Sequence, residues 1–320
     1  MSTSELSYQE KMDRLVVPWI KNDVQSGRTE SADGTDLQYY YCIHPQAKAA
    51  VTIIHGYCEF FGKYHELFYT FYQAGYSVFF LELRGYGKSE RLVPEKDHVH
   101  INSFEEYVAD LRAFSTNVVF PKTRYQKHFL FAHSMGGAVS ALYLEAYPGD
   151  YDACVLSSPM LEINFGSAKE WQVAALGFAA KAAKWDTKLI PGHTGWTGTY
   201  EFEKSSCLSE ERYAYQFNQR MSDPDYQTWS GTYQWVRAAR DATKKLQKAA
   251  SGIKVPVLIL QAGNDSMVNN HGQGLFARNC SSARIIVFHR SKHEIYNTPD
   301  DILERYYSAI FSFLEKQSAR

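Results

Sequence analysis

The sequence predicts an α/β protein: a mostly parallel sheet flanked by helices, with a helical insertion in its second half. Three observations predict it. Short apolar runs alternate with helical stretches along most of the 320 residues. The alternation breaks once, between Ser157-Ser158-Pro159 and Val255-Pro256. And one apolar run, Phe129-Leu130-Phe131, stops at Ala132-His133-Ser134-Met135-Gly136-Gly137, a serine set among small residues.

In chain order, strands are expected at 37–43 and at 51–54, where Val51-Thr52-Ile53-Ile54 is β-branched throughout. Further strands are expected at 77–83, 128–132, 153–157, 256–261 (around Val257-Leu258-Ile259-Leu260) and 284–288 (Ile285-Ile286-Val287-Phe288). Helices are expected at 60–74, 103–118, 136–147, 270–280 and 299–316. The third stops before Pro148-Gly149, and the last carries Ile302, Tyr306, Ile310 and Phe313 on one stripe. The insertion defines the domain plan: a core of 1–159 and 236–320 and a cap of 160–235.

Composition excludes several classes. The net charge of -1 and the lack of a basic block give no hint of nucleic-acid binding. Five scattered cysteines, an odd number without C-x-x-C spacing, argue against a disulfide framework or a zinc site. No metal or organic cofactor is expected, and no obligate protein partner. Residues 1–19 mix Glu5, Glu10, Lys11, Asp13 and Arg14 among apolar residues, unlike a signal peptide, and no stretch approaches a membrane span. A cytoplasmic enzyme, peripheral to the membrane at most, is the expectation. Hydrophobic content of 45% supports a large core, and 23 Tyr with 19 Phe exceed what a plain core needs.

The serine carries the chemistry. A hydroxyl is a poor nucleophile unless it stands where a base can reach it. A sharp strand-to-helix turn does this, and it demands tiny neighbours two positions on either side, here Ala132 and Gly136. The pattern resembles the nucleophile elbow of the α/β-hydrolases, with A-x-S-x-G in place of G-x-S-x-G. The elbow requires an acid and then a histidine later in the chain. Asp265 follows the run 257–260 in Gln261-Ala262-Gly263-Asn264-Asp265, and His293 follows 285–288 in a loop. His289 continues the strand pattern and is expected to be a packed side chain. Met135, after the serine, supplies one oxyanion amide in this fold, and Tyr57, in His55-Gly56-Tyr57-Cys58-Glu59, the other. Glu59 comes too early in the chain to be the triad acid. Arg84, in Arg84-Gly85-Tyr86-Gly87-Lys88-Ser89, lacks P-loop spacing and reads as a brace for the loops around the site.

These segments resemble the monoacylglycerol lipase and bacterial lysophospholipase branch of the α/β-hydrolases, often labelled serine aminopeptidase-like hydrolases. The similarity runs from about residue 30 to 315 and is carried by 54–59, 83–89, 132–137, 260–265 and 292–294. Thr232-Tyr233-Gln234-Trp235-Val236 also resembles a lysophospholipase segment. The resemblance implies Ser134 as nucleophile, Asp265 and His293 as its partners, and a lysophospholipid or monoacylglycerol as the small-molecule ester substrate. Tyr57, where many relatives carry a smaller residue, bears on the width of the acyl entrance. Within the cap, Trp171, Ala175, Phe178, Ala182 and Trp185 recur at helical spacing. Trp171, Phe178 and Trp185 are therefore expected to cover the acyl site, on a cap that can also meet lipid. The rival activity is an aminopeptidase or amidase, for which Glu201/Glu203 and Glu210/Glu211 are the candidate acidic pairs; a non-catalytic binding protein would be expected to have lost a triad member.

Overall fold

Runs that are buried along their whole length, such as Ala50–Ile54, Ser77–Leu81 and Ala153–Ser157, need cover on both faces. A computed structural model, which describes residues 6–124 and 126–319, provides it. Eight strands form one sheet: β1 (Gln25–Glu30), β2 (Asp36–Cys42), β3 (Ala50–Ile54), β4 (Ser77–Leu81), β5 (His128–His133), β6 (Ala153–Ser157), β7 (Val257–Ala262) and β8 (Ala283–Phe288). Their order is β1-β2-β4-β3-β5-β6-β7-β8. β2 runs antiparallel to β1 and β4, and every other pair is parallel.

The helices that matter here are α1 (His65–Gln73), α2 (Phe104–Phe114), α3 (Met135–Ala146), α4 (Glu170–Ala182), α5 (Glu210–Ser222), α6 (Tyr233–Ala249), α7 (Asn270–Asn279) and α8 (Asp300–Ser318). Strand side chains alternate between two cores. Leu130 and Ala132 of β5 join the core under α2, α3, α6 and α7. Phe129 and Phe131 join the core under α1 and α8. Parallel register sets Ile54 beside Ala132 and Leu260 beside Ser157, so the loops after β3, β5, β6 and β7 gather at one edge. That carboxyl edge is where an open parallel sheet places its ligand site.

Two expectations change. β1 was not expected, because Gln-Ser-Gly-Arg-Thr-Glu holds no apolar residue; it is a mostly exposed edge strand held by hairpin pairing to β2. The expected 235/236 domain boundary falls inside α6. Thr232 caps that helix, accepting from the Trp235 amide, and Trp235, Ala238, Ala239, Ala242 and Leu246 bury in the core. The segment between β6 and α6 holds α4, α5 and the strand Ser230–Gly231, which pairs in parallel with His98–Val99. Among the described residues, no helix is long and apolar enough to cross a membrane.

Arg84 braces as expected. Its buried guanidinium donates to Asp110 at 2.5 and 2.9 Å, to Asp33 at 2.6 Å and to Ser31 at 3.1 Å, tying the loop after β4 to α2 and to the β1–β2 turn.

Candidate active site

β5 ends at His133 and α3 begins at Met135, leaving Ser134 to make the whole turn at φ 50° and ψ -117°. A residue with a side chain is strained there and persists only where its surroundings hold it. They do: the Ser134 amide donates to the Ser157 carbonyl at 3.0 Å, and its own carbonyl accepts from the Gly137 and Met160 amides, each at 2.9 Å. The small neighbour has a direct cause. A Cβ at Gly136 would lie 2.5 Å from the carbonyl oxygens of Ile54 and His55, so α3 could not pack so close to β3.

The structure brings Asp265 and His293 together. Oδ2 of Asp265 lies 2.7 Å from His293 Nδ1, and both side chains are buried. Oδ1 accepts from the Met267 and Val268 amides at 2.9 and 3.0 Å, which fixes the carboxylate in place. Burial alone would raise the Asp265 pKa, but the hydrogen bond and charge of His293, with the two amides, hold it below the usual carboxylate range. With Nδ1 engaged, Nε2 is the ring nitrogen left to serve as a base. The His293 ring lies against the elbow, 4.8 Å from the His133 ring. Burial keeps His133 neutral, its pKa pushed down to about 4.

The loop after β3 closes over the same edge. His55 Nε2 accepts from the Leu83 amide at 3.1 Å while Nδ1 meets the Gly56 carbonyl at 2.7 Å, which locks the loop to β4. Met135 opens α3, beyond reach of any intrahelical acceptor. Among the described residues, neither its amide nor that of Tyr57 donates within the chain. Cys58 adopts φ 55°, and its carbonyl accepts from Arg220 Nη2 at 2.6 Å. Arg220 lies over Phe60, Trp196 and Trp229.

Beside Tyr57 opens a cavity of about 440 Å³ lined mainly by apolar groups, among them Ile163, Val173, Leu176, Trp235 and Val236. Tyr57 packs against Trp235 with ring centroids 4.3 Å apart and the rings tilted by 41°. The expected stripe is elsewhere. Trp171, Phe178 and Trp185 are 67%, 77% and 45% exposed, and α4 turns its other face, with Val173 and Gly177, to the cavity. The cause is close packing: Gly177 and Ala180 are the buried positions of α4, and Arg237 of α6 donates to the Gly177 carbonyl at 3.1 Å. The helix approaches through its smallest side chains and leaves its largest outside. Trp185 lies past the end of α4, beyond Lys184 at φ 59°. His289 also differs from expectation, since it is exposed just past β8.

Of the acidic pairs, Glu203, Glu210 and Glu211 are exposed and Glu201 pairs with Lys204 at 2.6 Å. None of them lines the cavity. Outside the sequence expectations stand Arg220, at the Cys58 carbonyl, and Lys63, whose Nζ lies 2.6 Å from Glu59 and 2.8 Å from Glu294. The four-residue spacing of Glu59 and Lys63, and the acid directly after His293, were the available signals.

The comparisons with known proteins bear on the whole of this frame. The family model Hydrolase_4, described as serine aminopeptidase, S33, matches residues 45–300. The chain belongs to this family. Lysophospholipase L2 of Escherichia coli (strain K12) is 29% identical over 276 residues, 84% of this chain and 81% of that protein. The monoacylglycerol lipase of Mycolicibacterium smegmatis is 26% identical over 263 residues, 80% of this chain and 85% of the other. Among solved structures, a soluble variant of the Saccharomyces cerevisiae monoglyceride lipase shares the fold at a TM-score of 0.72 and 18% identity, covering 92% of this chain and 94% of that one. The S33 protein described here is accordingly a hydrolase of the α/β-hydrolase fold.

Proposed function

We propose that the protein hydrolyses the carboxylic ester of a single-chain lipid, a lysophospholipid or monoacylglycerol, through an acyl-serine intermediate. The observation that carries this reading is the Asp265–His293 pair at 2.7 Å, its imidazole against His133, the neighbour of the strained Ser134, with an apolar cavity opening at Tyr57. In this reading His293 Nε2 takes the proton of Ser134 Oγ as the oxygen attacks the ester carbonyl. Asp265 holds the imidazole in the productive tautomer and stabilises the imidazolium that forms. The Tyr57 and Met135 amides receive the oxyanion, each worth about 3–4 kcal/mol in comparable sites. His293 then protonates the leaving alcohol, and water reverses the sequence to free the acid.

The cavity supports a lipid acyl group over a peptide, because its walls offer hydrocarbon and none of the four glutamates that could hold a free amino terminus. The two relatives, a lysophospholipase and a monoacylglycerol lipase by name, point to the same substrates. The segment before α6 acts as the cap. Exposed Trp171, Phe178 and Trp185 with Lys181 and Lys184 give it an outer face suited to a lipid surface. The test is labelling with a fluorophosphonate, followed by rates across lysophospholipids, monoacylglycerols, p-nitrophenyl esters and aminoacyl amides. Labelling of Ser134 with faster long-chain ester hydrolysis is expected. Preference for aminoacyl amides would replace this reading with the peptidase one.

A further inference from the structure

Beneath the site, the loop after β3 and the loop after β8 are joined by three buried charges. Lys63 Nζ lies 2.6 Å from Glu59 Oε1 and 2.8 Å from Glu294 Oε1, and none of the three side chains is more than 10% exposed. Glu59 also accepts from the Gly56 amide at 2.5 Å, from the Tyr296 hydroxyl at 2.8 Å and from the Tyr64 hydroxyl. The second oxygen of Glu294 accepts from Asn297 Nδ2 at 2.7 Å. Burial on its own would lower the Lys63 pKa, but the charges of Glu294 and Glu59 more than offset this and raise it above the ordinary lysine value. Glu59 stands two residues after Tyr57, and Glu294 is bonded directly to His293 in the chain. One ammonium thus ties together the two loops whose separation fixes where an oxyanion and a base stand relative to each other.

We propose that Lys63 is a positioning residue of the hydrolytic site. It clamps the oxyanion loop to the histidine loop, and with Glu59 and Glu294 it sets the charge that meets His293 as that ring takes a proton. The inference rests on the serine-hydrolase reading above. Asp265, on the loop after β7, and His133, at the end of β5, face His293 directly. Arg220 of α5, Cys58 and Cys207 lie within Coulombic reach of the Lys63 set, and Lys292 Nζ turns away to the Ser205 carbonyl at 3.1 Å. Lys63→Met and Glu294→Gln each change this surrounding by one charge, so the sign of each effect is defined.

The experiment follows kcat/KM for a short ester against pH, with rates divided by the sites a fluorophosphonate titrates. Lys63→Met is expected to cut kcat at least tenfold and move the acidic limb to higher pH, because uncompensated carboxylates favour a protonated ring. Glu294→Gln, nearly isosteric, is expected to move that limb to lower pH. Lys63→Arg should restore most of kcat. A structural role alone would lower the yield of titratable sites and the melting temperature but leave the limb where it was. If Lys63→Met does not fold, the Glu294→Gln shift and the Lys63→Arg profile carry the test. Wild-type limbs and wild-type kcat per site in all folded variants would overturn the proposal. Activity that survives in Ser134→Ala would instead bring down the reading on which it rests.

Discussion

Helix α3, Met-Gly-Gly-Ala-Val-Ser-Ala-Leu-Tyr-Leu-Glu-Ala, and helix α4, Glu-Trp-Gln-Val-Ala-Ala-Leu-Gly-Phe-Ala-Ala-Lys-Ala, are both short, alanine-rich and apolar. Yet α3 is buried without a break from Met135 to Leu144, whereas α4 buries only Gly177 and Ala180. The difference lies in the neighbours. α3 is wedged among β3, β5, α2 and α6, so every face finds a partner, and Gly136 lets it approach β3 to backbone contact. α4 packs on α6 and otherwise faces outward. Leaving Trp171 and Phe178 uncovered forfeits about 1.5–3 kcal/mol for a side chain such as Phe178. Apolar composition therefore places neither helix; the layer in which each sits does.

The largest test of the contrast is at the head of α3. Ser134→Ala and His293→Ala should each lower kcat/KM by about 10⁴-fold or more, while Asp265→Asn should cost less because the geometry survives. No truncation on the outer face of α4 should approach that loss with p-nitrophenyl acetate; one that did would end the distinction between the two helices.

A single methyl group should separate them next. In Gly136→Ala the new carbon meets fixed backbone oxygens at 2.5 Å, and a loss of about 3 kcal/mol or more is expected in urea denaturation. In Gly177→Ala the nearest atom is Arg237 Cγ at 2.9 Å, part of a flexible side chain, and alanine is the better helix former. Its midpoint should move by less than about 1 kcal/mol. Equal losses would mean that α4 is packed as tightly as α3.

Acid should act on the buried core on both sides of the sheet and pass over α4. Burial pushes His55 and His133 down to about 4 and His65 to about 3, from an ordinary value of 6.5. Below 6.5 the unfolded chain gains protons that the folded chain refuses, so their contribution is complete above 6.5 and lost as pH falls toward 4. Each accounts for on the order of 3 kcal/mol across that window. Glu82, raised to about 7 by burial against the pull of the Lys88 and Phe61 amides, has the opposite sign. Its folded form keeps a proton, so it destabilises as pH rises from 4.5 to 7. Three histidines outweigh one glutamate, and unfolding free energy should drop steeply between pH 6.5 and 4.5. A flat profile there would show that these histidines are not held neutral.

The smallest effects belong to α4. Trp171→Ala and Phe178→Ala should change stability by less than about 0.5 kcal/mol and leave short-ester hydrolysis unchanged, as surface substitutions do. Co-sedimentation with anionic vesicles should fall several-fold. Val173→Trp, on the cavity face, should do the reverse: keep vesicle binding and slow long-chain esters. A melting temperature that collapses in Phe178→Ala would place that side chain in a contact absent from this packing.

Much of the core was legible in the residues because its causes are local. Val51–Ile54, Phe129–Phe131 and Val257–Leu260 can only be covered strands, and Gly136 follows from the space a sharp turn leaves. The chain order of Ser134, Asp265 and His293 was legible for the same reason, since each follows an apolar run that must end at the carboxyl edge of the sheet. β1 was not, because a polar edge strand owes its existence to hairpin pairing with β2 and to no pattern of its own.

What the sequence by itself determined is seven of the eight strands, β2 to β8, and the edge of the sheet at which the chemistry-bearing residues arrive. Tertiary structure alone decided which face of α4 turns inward, and that one ammonium at Lys63 joins the loops carrying Glu59 and Glu294. The physical reason is range. Strand burial and turn sterics act between neighbours in the chain, whereas the facing of an alanine-rich helix and the pairing of buried charges depend on atoms that only the completed fold brings within reach.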